Sequence, residues 1–328
     1  MSKPNDTRVA PAQAQLSSPF FSRLPPEIRQ QIYRELLALY PLAWHIHTVG
    51  GRTLPVFPCI TDPDEHDPRY EMFQTTRGHE TMRWESRMRS PYNFHWRCAE
   101  AATAKLPLID RNRYLSTDLV KMKMQVPAPL LVCKRMYLES VDDLRSSLIF
   151  CFTDIVTARD FLAKHKRSPS IRNITISLRI PNIFAEIYYP LTDTGEPLAH
   201  PGGTTLSFQR NPWQDLCRQL SLLSPLRSLH IRLDTEDLRP WHKRVNEKHF
   251  FELLTQIQAR DYVLYLPELP ESLSQRGLPG YYLEGDVLQD APFEVKRGPR
   301  PNNWQLHLSR APLGQDPCGP RHVQYALM

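Results

Sequence analysis

Five side chains of the kinds that hold a divalent metal stand in one polar stretch: Cys59, His66, His79, His95 and Cys98. Thiolate sulfur and imidazole nitrogen are zinc's preferred donors, and a site legible in sequence normally shows its four ligands as two tight pairs. Only His95 and Cys98 are closely spaced, so the sequence reads the set as scattered surface residues and names no metal site and no cofactor. The carboxylates Asp62, Asp64, Glu65 and Asp67 could attract calcium, but the glycine and the closing glutamate of a calcium loop are missing. They read as a solvated turn. Cys133 has Leu131, Val132 and Met136 for neighbours, which predicts burial, where a thiol acts as a small hydrophobe rather than a nucleophile.

Other catalytic constellations are missing. A phosphate-cradling loop needs a glycine-rich turn running into a helix that starts with lysine; Gly202 and Gly203 sit instead among Pro201, Thr204 and Thr205. No serine lies on a glycine-flanked turn from strand to helix. The chain therefore reads as non-enzymatic, with no catalytic residues to name. A pocket gathering His79, His95 and a carboxylate would revive the enzyme class.

Composition narrows the partners. The formal charge is +6, but acidic residues are interspersed with basic ones and no basic run carries interleaved aromatics, so nucleic acid is not expected. No apolar stretch approaches the roughly twenty residues of a membrane helix. Cys59, Cys98, Cys133, Cys151, Cys217 and Cys318 lack paired spacing, and no apolar leader opens the chain, which together predict free thiols in an intracellular protein, cytoplasmic or nuclear. The 31 prolines are about twice the usual share of about 5%, so helices should be short and loops numerous.

The elements begin after a flexible tail over residues 1–18. Pro25 and Pro26 suit a first helical turn, Ile28, Ile32, Leu36 and Leu39 recur at helical spacing, and Pro41 stops the helix. Phe20, Phe21 and Leu24 can fold back on its first turns. Trp44, Ile46 and Thr48 then alternate with His45 and His47 ahead of Gly50 and Gly51, the pattern of a β-hairpin. Thr61 to Lys105 reads as loop or weak helix. Leu130, Leu131, Cys133, Met136, Tyr137 and Val141 share one helical face, followed by an apolar strand from Leu148 to Phe152.

Three helix-then-strand units follow. Ile155, Ala158 and Leu162 precede the alternating Ile174, Ile176, Leu178 and Ile180; Trp213, Leu216, Leu220 and Leu223 precede Leu229, Ile231 and Leu233; Phe250, Leu254 and Ile257 precede Tyr262 to Leu266. Strands joined through helices run parallel, and clean alternation predicts that only one sheet face is covered. Unequal spacing makes the repeat degenerate, an open arc rather than a doubly wound sheet. Pro292 to Arg297 and Trp304 to Leu308 read as a closing hairpin.

LPPEIRQQIYRELL, from Leu24, resembles the opening helix of F-box domains, and more closely the LPPEIR start of a family of fungal F-box-like proteins of unknown function. PLLVCKRMYLES, WQDLCRQLSLLSPLRSLHIRL, YLPELP and PFEVKR resemble later blocks of that family and occur in the same order. The resemblance implies an α/β fold with an α+β start: an F-box-like N-terminal helix and β-hairpin, then degenerate leucine-rich-repeat-like helix–strand units with helices on one sheet face. Residues 19–145 would hold the first part and its polar insertion, 146–310 the repeat-like region and 311–328 a loose tail. It also implies that Leu24, Pro25, Ile28, Ile32 and Leu36 dock on the Skp adaptor of a cullin-based ubiquitin ligase, with the uncovered sheet face or the arc's loops holding a client. In a compact F-box the later helix follows within a few dozen residues; here it lies beyond the hairpin and the insertion. The alternative is a scaffold or recognition domain with no ubiquitin link, its first helix buried in its own core.

Overall fold

The computed structural model describes residues within 15–103, 129–180, 212–269 and 290–298, with gaps inside those ranges. Most of the tail over 1–18, Gly50 and Gly51, Gly202 and Gly203, Phe250, the strand expected at Trp304 to Leu308 and the tail over 311–328 lie outside the described residues. Among the described residues no helix is long and apolar enough to cross a membrane.

Helix α1 (Pro19–Arg23) leads into α2 (Pro26–Ala38), where Pro26 holds the first position and gives up an N–H that would be unpaired anyway. Phe20 folds back as expected, its ring 5.9 Å from that of Tyr33. Strands β1 (Ala43–Val49) and β2 (Arg52–Pro58) pair antiparallel with a bulge where Val56 is the extra residue, between the pairs His45–Phe57 and Ile46–Pro55. Pro55 and Pro58 have no N–H to donate, which suits β2 to its place on the sheet edge.

Short helices α3 (Arg69–Thr75), α4 (His79–Met88) and α5 (Trp96–Thr103), the last preceded by a 3-10 turn (Asn93–His95), fill the polar insertion. After α6 (Pro129–Val132) and α7 (Lys134–Ser147) come β3 (Ile149–Phe152), α8 (Ile155–His165), β4 (Asn173–Ile180), α9 (Pro212–Ser221), β5 (Leu226–Thr235), a 3-10 turn (Glu252–Gln256), β6 (Ala259–Pro267) and β7 (Glu294–Gly298). The sheet has seven strands in the order β2-β1-β3-β4-β5-β6-β7, parallel from β1 onward. From β1 on, neighbours in space follow chain order without reversal, as in a solenoid and unlike a doubly wound sheet.

One face of this sheet is an oily core. Ile174, Ile176, Leu178 and Ile180 of β4 and Leu229, Ile231 and Leu233 of β5 pack with Ala158, Phe161 and Leu162 of α8 and Trp213, Leu216 and Leu220 of α9. Each fully buried Leu, Ile or Phe among them contributes about 1.5–3 kcal/mol of burial. Asp154 caps α8 by accepting from the Thr157 N–H at 2.6 Å.

The opposite face is covered too, against the expectation from alternation. Asn93 donates to the Leu178 carbonyl, Arg179 donates to the Met88 carbonyl, and the Arg232 guanidinium lies 3.8 Å from the centre of the Phe94 ring and 4.2 Å from that of Tyr265. The polar insertion is what lies there, so the even alternation of Ile and Thr or Ser along β4 marks two kinds of covering rather than one covered and one wet face. The carboxylates read as a solvated turn hold it in place: Asp64 accepts from Tyr265 at 2.8 Å and Lys296 at 3.1 Å, Glu65 pairs with Arg97, and Asp67 pairs with Arg69.

Cys133 departs from its expected burial in a continuous helix. It is half-buried, breaks α6 from α7, and caps α7 by accepting from the Met136 N–H, while Leu131 and Val132 beside it are exposed.

Candidate functional site

Helix α2 returns to α7 across more than a hundred residues of chain. The seam between them is ionic. Arg29 lies along Glu139 with both 2.9 Å hydrogen bonds of a bidentate pair, and its remaining amino group donates to the Leu24 carbonyl at 2.6 Å. The Tyr33 hydroxyl and Arg135 also donate to the Glu139 carboxylate, each at 2.9 Å. Burial alone would push that carboxyl up, yet the bonds from Arg29, Arg135 and Tyr33 outweigh it and hold its pKa down at about 2. The same pairing raises Arg29, and burial reinforced by Glu139 raises Tyr33.

The row Arg29, Tyr33 and Leu37 is therefore the buried face of α2. Ile28, Ile32 and Leu36 run one residue out of phase with it, about 100° away around the helix. Ile28 and Leu36 are exposed at 44% and 36%, and Leu39 at the helix end at 78%. Pro25 is exposed, whereas Leu24, ahead of the helix, and Ile32, within the outer row, are half-buried. α6, which also packs on α2, leaves Leu131 at 71% and Val132 at 67% exposed, so apolar surface stands on both elements at this end of the molecule.

A second group of side chains assembles where the hairpin meets the insertion. His45 on β1, Cys59 just past β2, His95 in the 3-10 turn and Cys98 on α5 bring one ligand atom each to within 4.8 Å of one another. Cys59 Sγ lies 3.2 Å from His95 Nδ1 and 3.7 Å from Cys98 Sγ, and Cys98 Sγ lies 3.9 Å from His95 Nδ1. His95 and Cys98 are buried and Cys59 is half-buried, which corrects their reading as scattered surface residues. His66 stands apart, exposed and bonded to Glu71, and His79 opens α4.

The residue that sequence reasoning missed is His45. It is fully buried, neither of its ring nitrogens has a hydrogen-bond partner among the described residues, and burial, only partly offset by the nearby Cys98 thiol, lowers its pKa to about 4. The readable signal was the hairpin: the Cys59 N–H donates to the Ala43 carbonyl at 2.8 Å, so the cysteine sits across the ladder two residues from His45. Cys151, the register partner of His45 on β3, pushes the Cys59 thiol up to about 12.

No curated protein and no solved structure matches the chain. One protein family, described as a domain of unknown function, DUF7730, matches residues 13–277, a span that holds α1 through β6 and with them the Arg29–Glu139 seam and all four members of the histidine–cysteine cluster. The match covers well over half of the 328 residues, and the chain belongs to that family.

Proposed function

We propose that the chain is a non-enzymatic protein-interaction module that offers α2 to a partner as an F-box-like docking helix. The observation that carries this reading is the orientation of α2: its polar row is fastened to α7 while Ile28, Leu36 and Leu39 face outward. An amphipathic helix held from behind with exposed apolar anchors at i, i+8 and i+11, and the half-buried Ile32 at i+4, suits a hydrophobic groove. The Skp adaptor of a cullin-type ubiquitin ligase is the partner proposed, engaged by Leu24, Pro25, Ile28, Ile32 and Leu36 in the cytoplasm or nucleus. A client would use loops of the arc, since the polar insertion lies over the sheet face otherwise available.

A scaffold with no ubiquitin link is the second reading, favoured by the burial of Arg29, Tyr33 and Leu37 within the chain itself. Binding of the purified full-length protein to purified Skp adaptor separates the two. The first reading expects a complex that Ile28→Asp with Leu36→Asp weakens by about tenfold or more without lowering the melting temperature. A wild-type chain that does not bind the adaptor overturns the ligase reading, and a double variant that unfolds assigns the stripe to the chain's own core.

A further inference from the structure

We propose that His45, Cys59, His95 and Cys98 bind one zinc ion as a closed structural centre. The distances suit it. Zinc bonds of about 2.3 Å to sulfur and about 2.0–2.1 Å to nitrogen give tetrahedral edges of about 3.8 Å between sulfurs and about 3.6 Å between sulfur and nitrogen. The cluster shows 3.7 Å between Cys59 and Cys98, and 3.2 and 3.9 Å from those sulfurs to His95 Nδ1.

His45 is the independent pointer to an ion. Among the described residues neither nitrogen of this buried ring is hydrogen-bonded, a deficit of about 1–3 kcal/mol that native interiors rarely tolerate. A metal bond to one of those nitrogens removes the deficit, with the ligand atoms of Cys59, His95 and Cys98 already gathered within 4.8 Å. Two thiolates also cancel the charge of a divalent cation, so the filled centre is neutral where a lone charge could not be buried cheaply. On binding, the two thiol protons pass to solvent.

The surroundings are those of a ligand shell. Cys98 Sγ accepts from the Ile60 N–H at 3.4 Å and lies 3.1 Å from Thr61 Oγ1, contacts that spread thiolate charge and orient the ligand. Two imidazoles and two thiols are a borderline-soft set that favours zinc over magnesium or calcium. Four protein ligands leave no open position for substrate, so the role is structural. The ion would rivet the hairpin at the sheet edge to the start of α5, fixing the insertion where it crosses the sheet.

The test uses the full-length chain, expressed without a histidine tag and purified under reducing conditions, with zinc measured by elemental mass spectrometry. About one zinc per chain is expected, falling to roughly a tenth or less in the Cys59→Ser, Cys98→Ser variant and unchanged in His66→Ala and Cys133→Ser. Because the double variant can lose its fold with its ligands, the wild-type chain is also stripped with a chelator and titrated with cobalt. Tetrahedral cobalt bands with thiolate charge transfer, displaced by one equivalent of zinc, support the centre. A wild-type chain that carries no zinc and gives no thiolate–cobalt band overturns it.

Discussion

Helices α2 and α9 carry apolar stripes of the same period and meet opposite fates. On α9 the stripe Trp213, Leu216 and Leu220 lies wholly in the core, and Gln214 and Arg218 face out. On α2 the row turned inward is Arg29, Tyr33 and Leu37, and the stripe Ile28 and Leu36 stays outside. The difference teaches that periodicity locates a stripe without naming what covers it. The apolar stripe of α9 turns inward because a β-sheet lies beneath it; α2 meets a glutamate, and a bidentate guanidinium wins the contact.

The contrast can be broken from either side. Leu216→Ala, emptying a fully buried position, should cost about 2–5 kcal/mol in denaturant unfolding, the largest effect of these substitutions. Glu139→Ala leaves the buried Arg29 uncompensated and should cost about 3 kcal/mol; a cost near zero would mean the ionic seam does not orient α2. The pH dependence sharpens this. Glu139 has its folded pKa held at about 2 against an ordinary 4.5, so its contribution is complete above pH 4.5 and drains away as pH falls toward 2. Urea midpoints of the wild type should therefore drop over that window more steeply than those of Glu139→Ala. Smallest of all, Ile28→Asp should change stability by about 0.5 kcal/mol or less, because the residue is open to water.

What could be read in advance follows from the range of the forces involved. The α2 start at paired prolines, the hairpin strands and the first two helix–strand units rest on neighbours within a few residues and stand where periodicity placed them, while Leu254 of the third unit lies in a 3-10 turn. Contacts closed over long stretches were illegible. Cys59 reaches His95 and Cys98 only once the insertion folds back on the hairpin, and His45 enters from a strand whose alternation signalled only a hairpin. Cys133 misled differently: its apolar neighbours matched a helical face, while its sulfur was serving as a cap. The covered second sheet face was hidden for the same reason as the cluster, since the segment that covers it reads as polar and irregular.

The pairing of Arg29 with Glu139 has a consequence for synthesis. At about 5–20 residues per second, a ribosome needs several seconds to deliver the 110 residues that separate the two partners. Throughout that interval the nascent α2 has neither face protected, and the hairpin beside it waits equally long for β3 at Ile149. A chaperone that grips short oily segments would find its binding site in α1 and α2 as they emerge, well before the native seam can close over one side of it.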